Sequence, residues 1–181
     1  MNRKVVSSLL LLAFLLVGSF GLRADPALAA PPGPSLVDVA IDVNEETGEF
    51  STLIAAVLAA DPAVLSTLSG NGQFTVFAPT DAAFDELGLN AENIGDLDQG
   101  ALTQILLYHV VRGRRGSQAI LGSRRIRTLQ GGFLSQNGGS LTDNLGREAE
   151  IILTDVGAAN GIIHAIDAVV LPFAPWGGLR G

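Results

Sequence analysis

Residues 75–84, Thr75-Val76-Phe77-Ala78-Pro79-Thr80-Asp81-Ala82-Ala83-Phe84, constrain the fold more than any other part of the chain. Phe74, Val76 and Ala78 alternate along one side of an extended segment, and Phe77 places an apolar group on the other, so the segment reads as a buried strand. Pro79 has no backbone N–H to give to a sheet, and the strand is expected to end there. Thr80 then caps a helix, with Asp81 adding negative charge at the positive end of its dipole. Phe84 and Leu87 share one helical face, and Gly88 is a natural terminator. This is a packing device and carries no catalytic chemistry.

Upstream, Arg3 and Lys4 precede an apolar run from Val5, and Ala27-Leu28-Ala29 forms a small-x-small site, which predicts an export signal over residues 1–29. The uncharged stretch 5–22 reaches the lower limit for a membrane span. Its dense part, residues 9–17, is shorter, so cleavage is favoured, and membrane attachment is expected only if the segment stays uncleaved. No cysteine follows the run, which excludes a lipid-modified lipoprotein. The expected location is secreted or periplasmic.

Cleavage would leave 152 of the 181 residues, with 8 Arg, no Lys, 17 Asp and Glu and a net charge of −9. A nucleic-acid binder needs clustered positive charge to displace counterions, and this balance argues against one. Six of the arginines do cluster: Arg112, Arg114, Arg115, Arg124, Arg125 and Arg127. They read first as a solvated loop and strand edge balanced by acidic neighbours. The alternative is a local patch for an anionic polymer, such as surface polysaccharide or lipid headgroups. The chain has no cysteine, so one ordinary hydrophobic core must stabilise one domain, and thiol nucleophiles and cysteine-ligated zinc are excluded.

Along the mature chain, residues 30–34 form a Pro-rich lead. Leu36, Val37, Ala40 and Ile41 predict a helix ending near Asn44, followed by a polar loop over 45–49 and a helix capped by Ser51. Asp61-Pro62 restarts the helical pattern, with Val64, Leu65 and Leu68 on the buried side. Residues 101–108 are helical. From Val110 the residue types change to short β segments: 126–129, 133–136, an Asn137-Gly138 hairpin into 140–142, then 150–153 and 162–171. Helices first and strands later give an α+β fold, with one domain over 35–172 and a Gly/Pro-rich tail over 173–181.

Two further segments stand out. Tyr108-His109 sits among aliphatics. His109 shares a helical side with Ile105 and Leu106, and Tyr108 is turned about 100° away. The bland reading is a hydrogen-bonded histidine tucked into the helix–sheet junction. Farther on, Asn160-Gly161 predicts a tight turn tolerant of positive φ. In the strand that follows, Ile162, His164 and Ile166 point one way while Ile163, Ala165 and Asp167 point the other. His164 and Asp167 therefore cannot form a catalytic pair without a bulge.

Thr75, Phe77, Pro79, Thr80 and Phe84, the Tyr108-His109 pair, and Asn160-Gly161 with His164 and Asp167 occur in an order and spacing that resemble the fasciclin domain. The likeness covers about 35–172 and implies helices packed on a wedge of β-strands, with the first and third segments largely structural. It also implies a role in adhesion. In animal members a Tyr-His pair flanked by aliphatics is implicated in integrin binding, and Tyr108 and His109 with Leu106, Leu107, Val110 and Val111 fit that pattern. Some members also use a Glu-Pro-Asp-Ile-Met peptide before the Asn-Gly turn. The aligned residues here are Leu153, Thr154, Asp155, Val156 and Gly157, of which Asp155 matches. The cysteine-free single domain behind a short signal has a bacterial character, and bacteria have no integrins of their own.

No Gly-x-Ser-x-Gly, His-Glu-x-x-His or complete phosphate loop is present. Asp96-Leu97-Asp98-Gln99-Gly100 lacks the ligands of a calcium loop and reads as a helix-entry loop. No cofactor, metal or catalytic residue is expected. The leading expectation is a non-catalytic, exported fasciclin-type module that adheres to a cell-surface or matrix protein or polysaccharide. The second is a periplasmic small-ligand or lipid-handling protein, and a hydrolase built on His164, Asp167 and a serine comes third.

Overall fold

The computed structural model describes residues 33–173; the expected signal segment and all of the tail beyond Phe173 lie outside the described residues. Three helices come first: α1 Leu36–Thr47, α2 Ser51–Ala59 and α3 Pro62–Ser69. Strand β1 Phe74–Pro79 follows, then the short α4 Asp81–Asp85, a 3-10 turn at Ile94–Asp96, and α5 Gln99–Tyr108. The remainder is β2 Val110–Arg112, α6 Ser117–Leu121, β3 Arg125–Arg127, β4 Phe133–Asn137, β5 Ser140–Thr142, β6 Glu148–Ala158 and β7 Gly161–Ile166. Among the described residues, five of the six α-helices precede six of the seven strands, with β1 among the helices and α6 after β2, and the architecture is α+β.

The seven strands form one mixed sheet in the order β2-β1-β7-β6-β5-β4-β3. β1 and β7 run parallel, and every other pair is antiparallel. The two edge strands come together through a bridge between Val111 and Thr128, so the sheet curls back on itself. β1 has β2 on one side and β7 on the other, and all six of its residues are buried. Phe74, Val76 and Ala78 enter a core shared with α1, α2, α3 and α5. Phe77 enters a second core with Tyr108, Val111, Ile120, Ile126, Leu134, Leu141 and Ile166. The alternation in the sequence thus serves two cores rather than one.

Helix ends follow local chemistry where the cap lies close in sequence. Ser35 and Asp38 form a capping box on α1, each accepting the other's main-chain N–H, at 3.3 and 2.8 Å. The Asp61 carboxylate accepts from Ala63 N–H at 2.8 Å, Thr80 Oγ1 from Ala83 N–H at 3.3 Å, and Asp98 from Ala101 N–H at 2.9 Å. Asp98 is thereby a helix cap in a helix-entry loop.

Several expectations are corrected. α1 continues through the polar residues 45–47 and stops at Gly48, whose φ of 73° places it in the left-handed C-cap conformation. Ser51 is the first residue of α2 and not its cap. The Asp81 carboxylate supplies that cap from the far side of β1, accepting Ser51 N–H at 3.2 Å and Thr52 N–H at 2.8 Å. The hairpin turn lies one residue later than Asn137-Gly138: Asn137 pairs with Ser140, and Gly138 and Gly139 form the loop with φ of 61° and 104°. β6 is longer than expected and is broken by register shifts around Leu153, β7 stops at Ile166, and α6 was not expected.

Candidate functional site

Tyr108 ends α5 and His109 is its C-cap, so the helical turn between them sends one side chain into each core. Tyr108 is 0 % and His109 2 % exposed. Tyr108 Oη donates to the Phe133 carbonyl at 2.6 Å, and burial raises its phenol above the ordinary value. His109 Nδ1–H donates to the Ile105 carbonyl at 2.8 Å, while Nε2 accepts from Val170 N–H at 3.2 Å. Burial is the main cause of a pKa lowered to about 4, opposed by the Ile105 carbonyl. The aliphatic neighbours that suggested a recognition patch are the reason this pair is buried: Leu106, Val110 and Val111 are core residues. Both side chains are turned into the interior.

His164 is fully buried and stacks on Phe77, with ring centroids 5.9 Å apart and planes at 29°. The two residues are direct partners across the parallel β1–β7 pair. Nδ1 of His164 accepts from Asp155 N–H at 3.2 Å, and Nε2–H donates to the Arg115 carbonyl at 2.9 Å. Asp155 sits at the irregular part of β6 with φ of 63°, a strained value for a residue with a Cβ. Its exposed carboxylate accepts from Ser117 N–H at 2.8 Å at the start of α6, and the Ser117 hydrogen bonds lower its pKa. Asp167 instead accepts Glu150 N–H at 2.7 Å from an exposed position. The strand parity argument holds: His164 and Asp167 form no pair. All four ring nitrogens of the two histidines are committed to main-chain groups, which leaves the hydrolase reading without a histidine base.

The remaining motif residues are ties. Asn160, expected in a positive-φ turn, is fully buried, and neither it nor Gly161 has positive φ. Asn160 Oδ1 accepts Leu36 N–H at 2.8 Å, and Nδ2 donates to the carbonyls of Leu68 at 2.6 Å and Gly70 at 2.9 Å. One amide thus joins the start of α1, the end of α3 and the entry to β7. Gly161 is required by close approach: a Cβ there would lie 2.2 Å from the Phe74 carbonyl oxygen and 2.9 Å from Leu36 Cδ1. Thr75 Oγ1 donates to Gly113 O and accepts from Arg115 N–H, both at 2.8 Å. Phe84 fills the first core.

Sequence reasoning missed a further tie. Asp143 is buried and accepts Leu145 N–H at 2.8 Å, Arg147 N–H at 2.9 Å and Leu171 N–H at 2.9 Å, with Arg147 Nε at 3.1 Å. Arg147 also donates to the Val169 carbonyl. Asp143-Asn144 ahead of Gly146 was the available signal for this Asx-type turn.

Two of the features open to solvent bear on binding. An apolar cavity of about 110 Å³ lies among α1, α2, α3 and the β1–β7 face, lined by Leu53, Val57, Leu68, Val76 and Ile163, with His109 at its wall. Ile41 and Leu58, 37 % and 68 % exposed, are among its lining residues. The second feature is the arginine group. Among the described residues the one ion pair is Arg147–Asp143, so the expected acidic neighbours do not pair with Arg112, Arg114, Arg115, Arg124, Arg125 or Arg127. Arg114 Nη1 donates to the Ala158 carbonyl at 2.7 Å, and the Arg125 guanidinium lies 3.8 Å from the centroid of the Phe133 ring. Among the described residues, no group of three or more His, Cys, Asp or Glu is placed to hold a metal ion.

Comparison with known proteins places this geometry. The fasciclin domain model matches residues 48–172. The immunogenic protein MPB70 of Mycobacterium bovis is 32 % identical over 157 residues, covering 82 % of this chain and 79 % of that protein. Protein sll1483 of Synechocystis sp. is 41 % identical over 138 residues, covering 73 % and 72 %. The cell surface glycolipoprotein MPB83 of Mycobacterium bovis is 34 % identical over 157 residues, covering 82 % and 70 %. A FAS1 domain pair from the insect cell adhesion molecule Fasciclin I superposes with a TM-score of 0.54 at 22 % identity. That match covers 69 % of this chain and 46 % of the pair, and it bears on the fold alone. On the family-model match and these identities, this chain belongs to the fasciclin domain family.

Proposed function

We propose that this chain is an exported, non-catalytic fasciclin-type module that adheres to a cell-surface or extracellular-matrix component. The observation that carries this reading is where its polar motif residues are used. His109, His164, Asn160, Thr75 and Asp167 all bond to the main chain, so these motif side chains serve the fold, which supports recognition by the outer surface. Similarity to a protein named as a cell surface glycolipoprotein supports it. The test is binding of the exported protein to cells, matrix proteins and surface polysaccharides. Saturable binding to one of these is expected, and none above a charge-matched control would overturn the reading. Secretion or release to the periplasm predicts a mature protein that begins at Ala30 on N-terminal sequencing.

The apolar cavity favours a second, narrower reading: a site for a small apolar group. Its volume of about 110 Å³ falls below the roughly 300–1,000 Å³ of drug-sized sites and near the ~150 Å³ cavity that admits benzene or xenon. It suits a single ring or the end of an alkyl chain. Stoichiometric apolar material in solvent extracts of the native protein, or a raised Tm with short alkyl ligands, would support it. The absence of both would remove it.

A further inference from the structure

We propose that the outer face at the closing seam of the sheet binds an anionic polysaccharide, through Arg112, Arg125 and Arg127. The proposal rests on the adhesion reading and names the chemical class of its partner.

Charge is segregated along this chain. Residues 99–142 hold six arginines and no Asp or Glu, while the whole chain carries a net charge of −7. The fold concentrates that segment. The Val111–Thr128 bridge joins the two edge strands, and antiparallel pairing then sets Arg112 and Arg127 at consecutive positions across the seam. Val111, Ile126 and Thr128 are buried, so strand alternation turns Arg112, Arg125 and Arg127 outward, and all three are exposed.

The register carries this face onward. Arg125 pairs with Ser135 and Arg127 with Phe133; Ser135 pairs with Thr142 and Asn137 with Ser140. The result is a row of guanidinium forks beside the Ser135 and Thr142 hydroxyls and the Asn137 amide, while the Ser140 hydroxyl on the same face is buried. Phe133 beneath Arg125 holds one fork in place. Guanidinium binds carboxylate, sulfate and phosphate through paired donors, and the neighbouring hydroxyls match the hydrogen-bonding needs of sugars. The surrounding negative charge repels anions elsewhere on the molecule and focuses them here. Edge arginines also block strand-to-strand association, so that simpler role is the competitor to test.

The experiment uses the exported protein with immobilised polygalacturonate and heparin, neutral dextran as control, and vesicles containing phosphatidylglycerol. Binding to both anionic polymers and not to dextran is expected, weakening by about tenfold or more between 50 and 200 mM salt as three contacts are screened. The R112Q/R125Q/R127Q variant should lose at least about tenfold in affinity with an unchanged Tm, and the matching Arg→Lys variant should recover part of it. If the triple variant folds poorly, R127Q alone and the salt dependence of the unaltered protein decide the question.

The inference is overturned by no binding at low salt, by equal binding of the triple variant, or by tighter binding to vesicles than to either polymer. It is equally overturned if the variant self-associates while its polymer binding is unaltered. Adhesion to cells that survives in the triple variant removes this inference and leaves the adhesion reading standing. Polymer binding without any cell or matrix adhesion does the reverse.

Discussion

His109 meets two main-chain partners that only a neutral ring satisfies together, a carbonyl on Nδ1 and an N–H on Nε2. Burial penalises the charged ring, and the pKa falls from 6.5 to about 4; protonation at Nε2 would also set two donors face to face. The sign follows from linkage. Above pH 6.5 neither state binds the proton and stability is full. As pH falls from 6.5 toward 4 the unfolded chain takes it up while the folded one does not, and on the order of 3 kcal/mol of stability is lost. Urea unfolding at pH 7 and pH 4 checks this, with His109→Gln, which cannot titrate, as reference. The unaltered protein should lose more stability than the variant over that interval; parallel losses would refute the assignment. Tyr108 tests the same burial by packing. Tyr108→Phe leaves the Phe133 carbonyl without its donor and should cost about 1–2 kcal/mol. Tyr108→Ala empties part of the second core and should cost about 3–5 kcal/mol in chemical denaturation. Reduced adhesion in either variant should therefore track the unfolded fraction, and adhesion lost at full stability would show that the pair acts in recognition.

Elements are fastened by residues remote in sequence, and this sets what the sequence could disclose. Asp81 starts α4 and caps α2 across an interval of about thirty residues, so Asp81→Ala should cost about 1–2 kcal/mol and weaken protection of the Ser51 and Thr52 amides in hydrogen exchange. An Asp81→Ala protein with those amides as protected as before would show that the cap contributes nothing. The caps at Asp61 and Thr80 were legible because donor and acceptor lie two or three residues apart, and at Asp98 the helix entry was legible but not the cap. Asp81 on α2 and Asp155 on α6 were not, since only the folded sheet brings them to those helix starts. The end of α1 was misplaced for another reason. Glu45, Glu46 and Thr47 are polar because they lie on an exposed stretch of helix, and Gly48 rather than polarity ends it. α6 has Ile120 as its one buried residue, too little periodicity to read. Gly161 was legible as special but for the wrong cause, since crowding against Phe74 and Leu36 demands it rather than positive φ. Gly161→Ala should accordingly abolish expression of folded protein, and a well-folded alanine variant would contradict the 2.2 Å approach to the Phe74 carbonyl.

At the scale of the molecule, two hydrophobic cores share the central strands. Val76 and Phe77 are adjacent yet belong to different cores, as do Ile163 and Ile166 on β7. The seam between β2 and β3 closes the second core against the end of the sheet that holds the first. The family was legible in the sequence because its signature residues build this shared centre. The partner was not, because recognition has no comparable need for buried, regularly spaced side chains. A strand apolar on both sides cannot leave one core while staying ordered in the other, so the cores should unfold together. Calorimetry should then give one transition with equal calorimetric and van't Hoff enthalpies. Leu53→Ala in the first core and Ile126→Ala in the second should each lower that single Tm, with losses of about 2–5 kcal/mol. If Ile126→Ala splits the transition, leaving the helical half folded while the curled strands melt, then β1 and β7 do not couple the two halves.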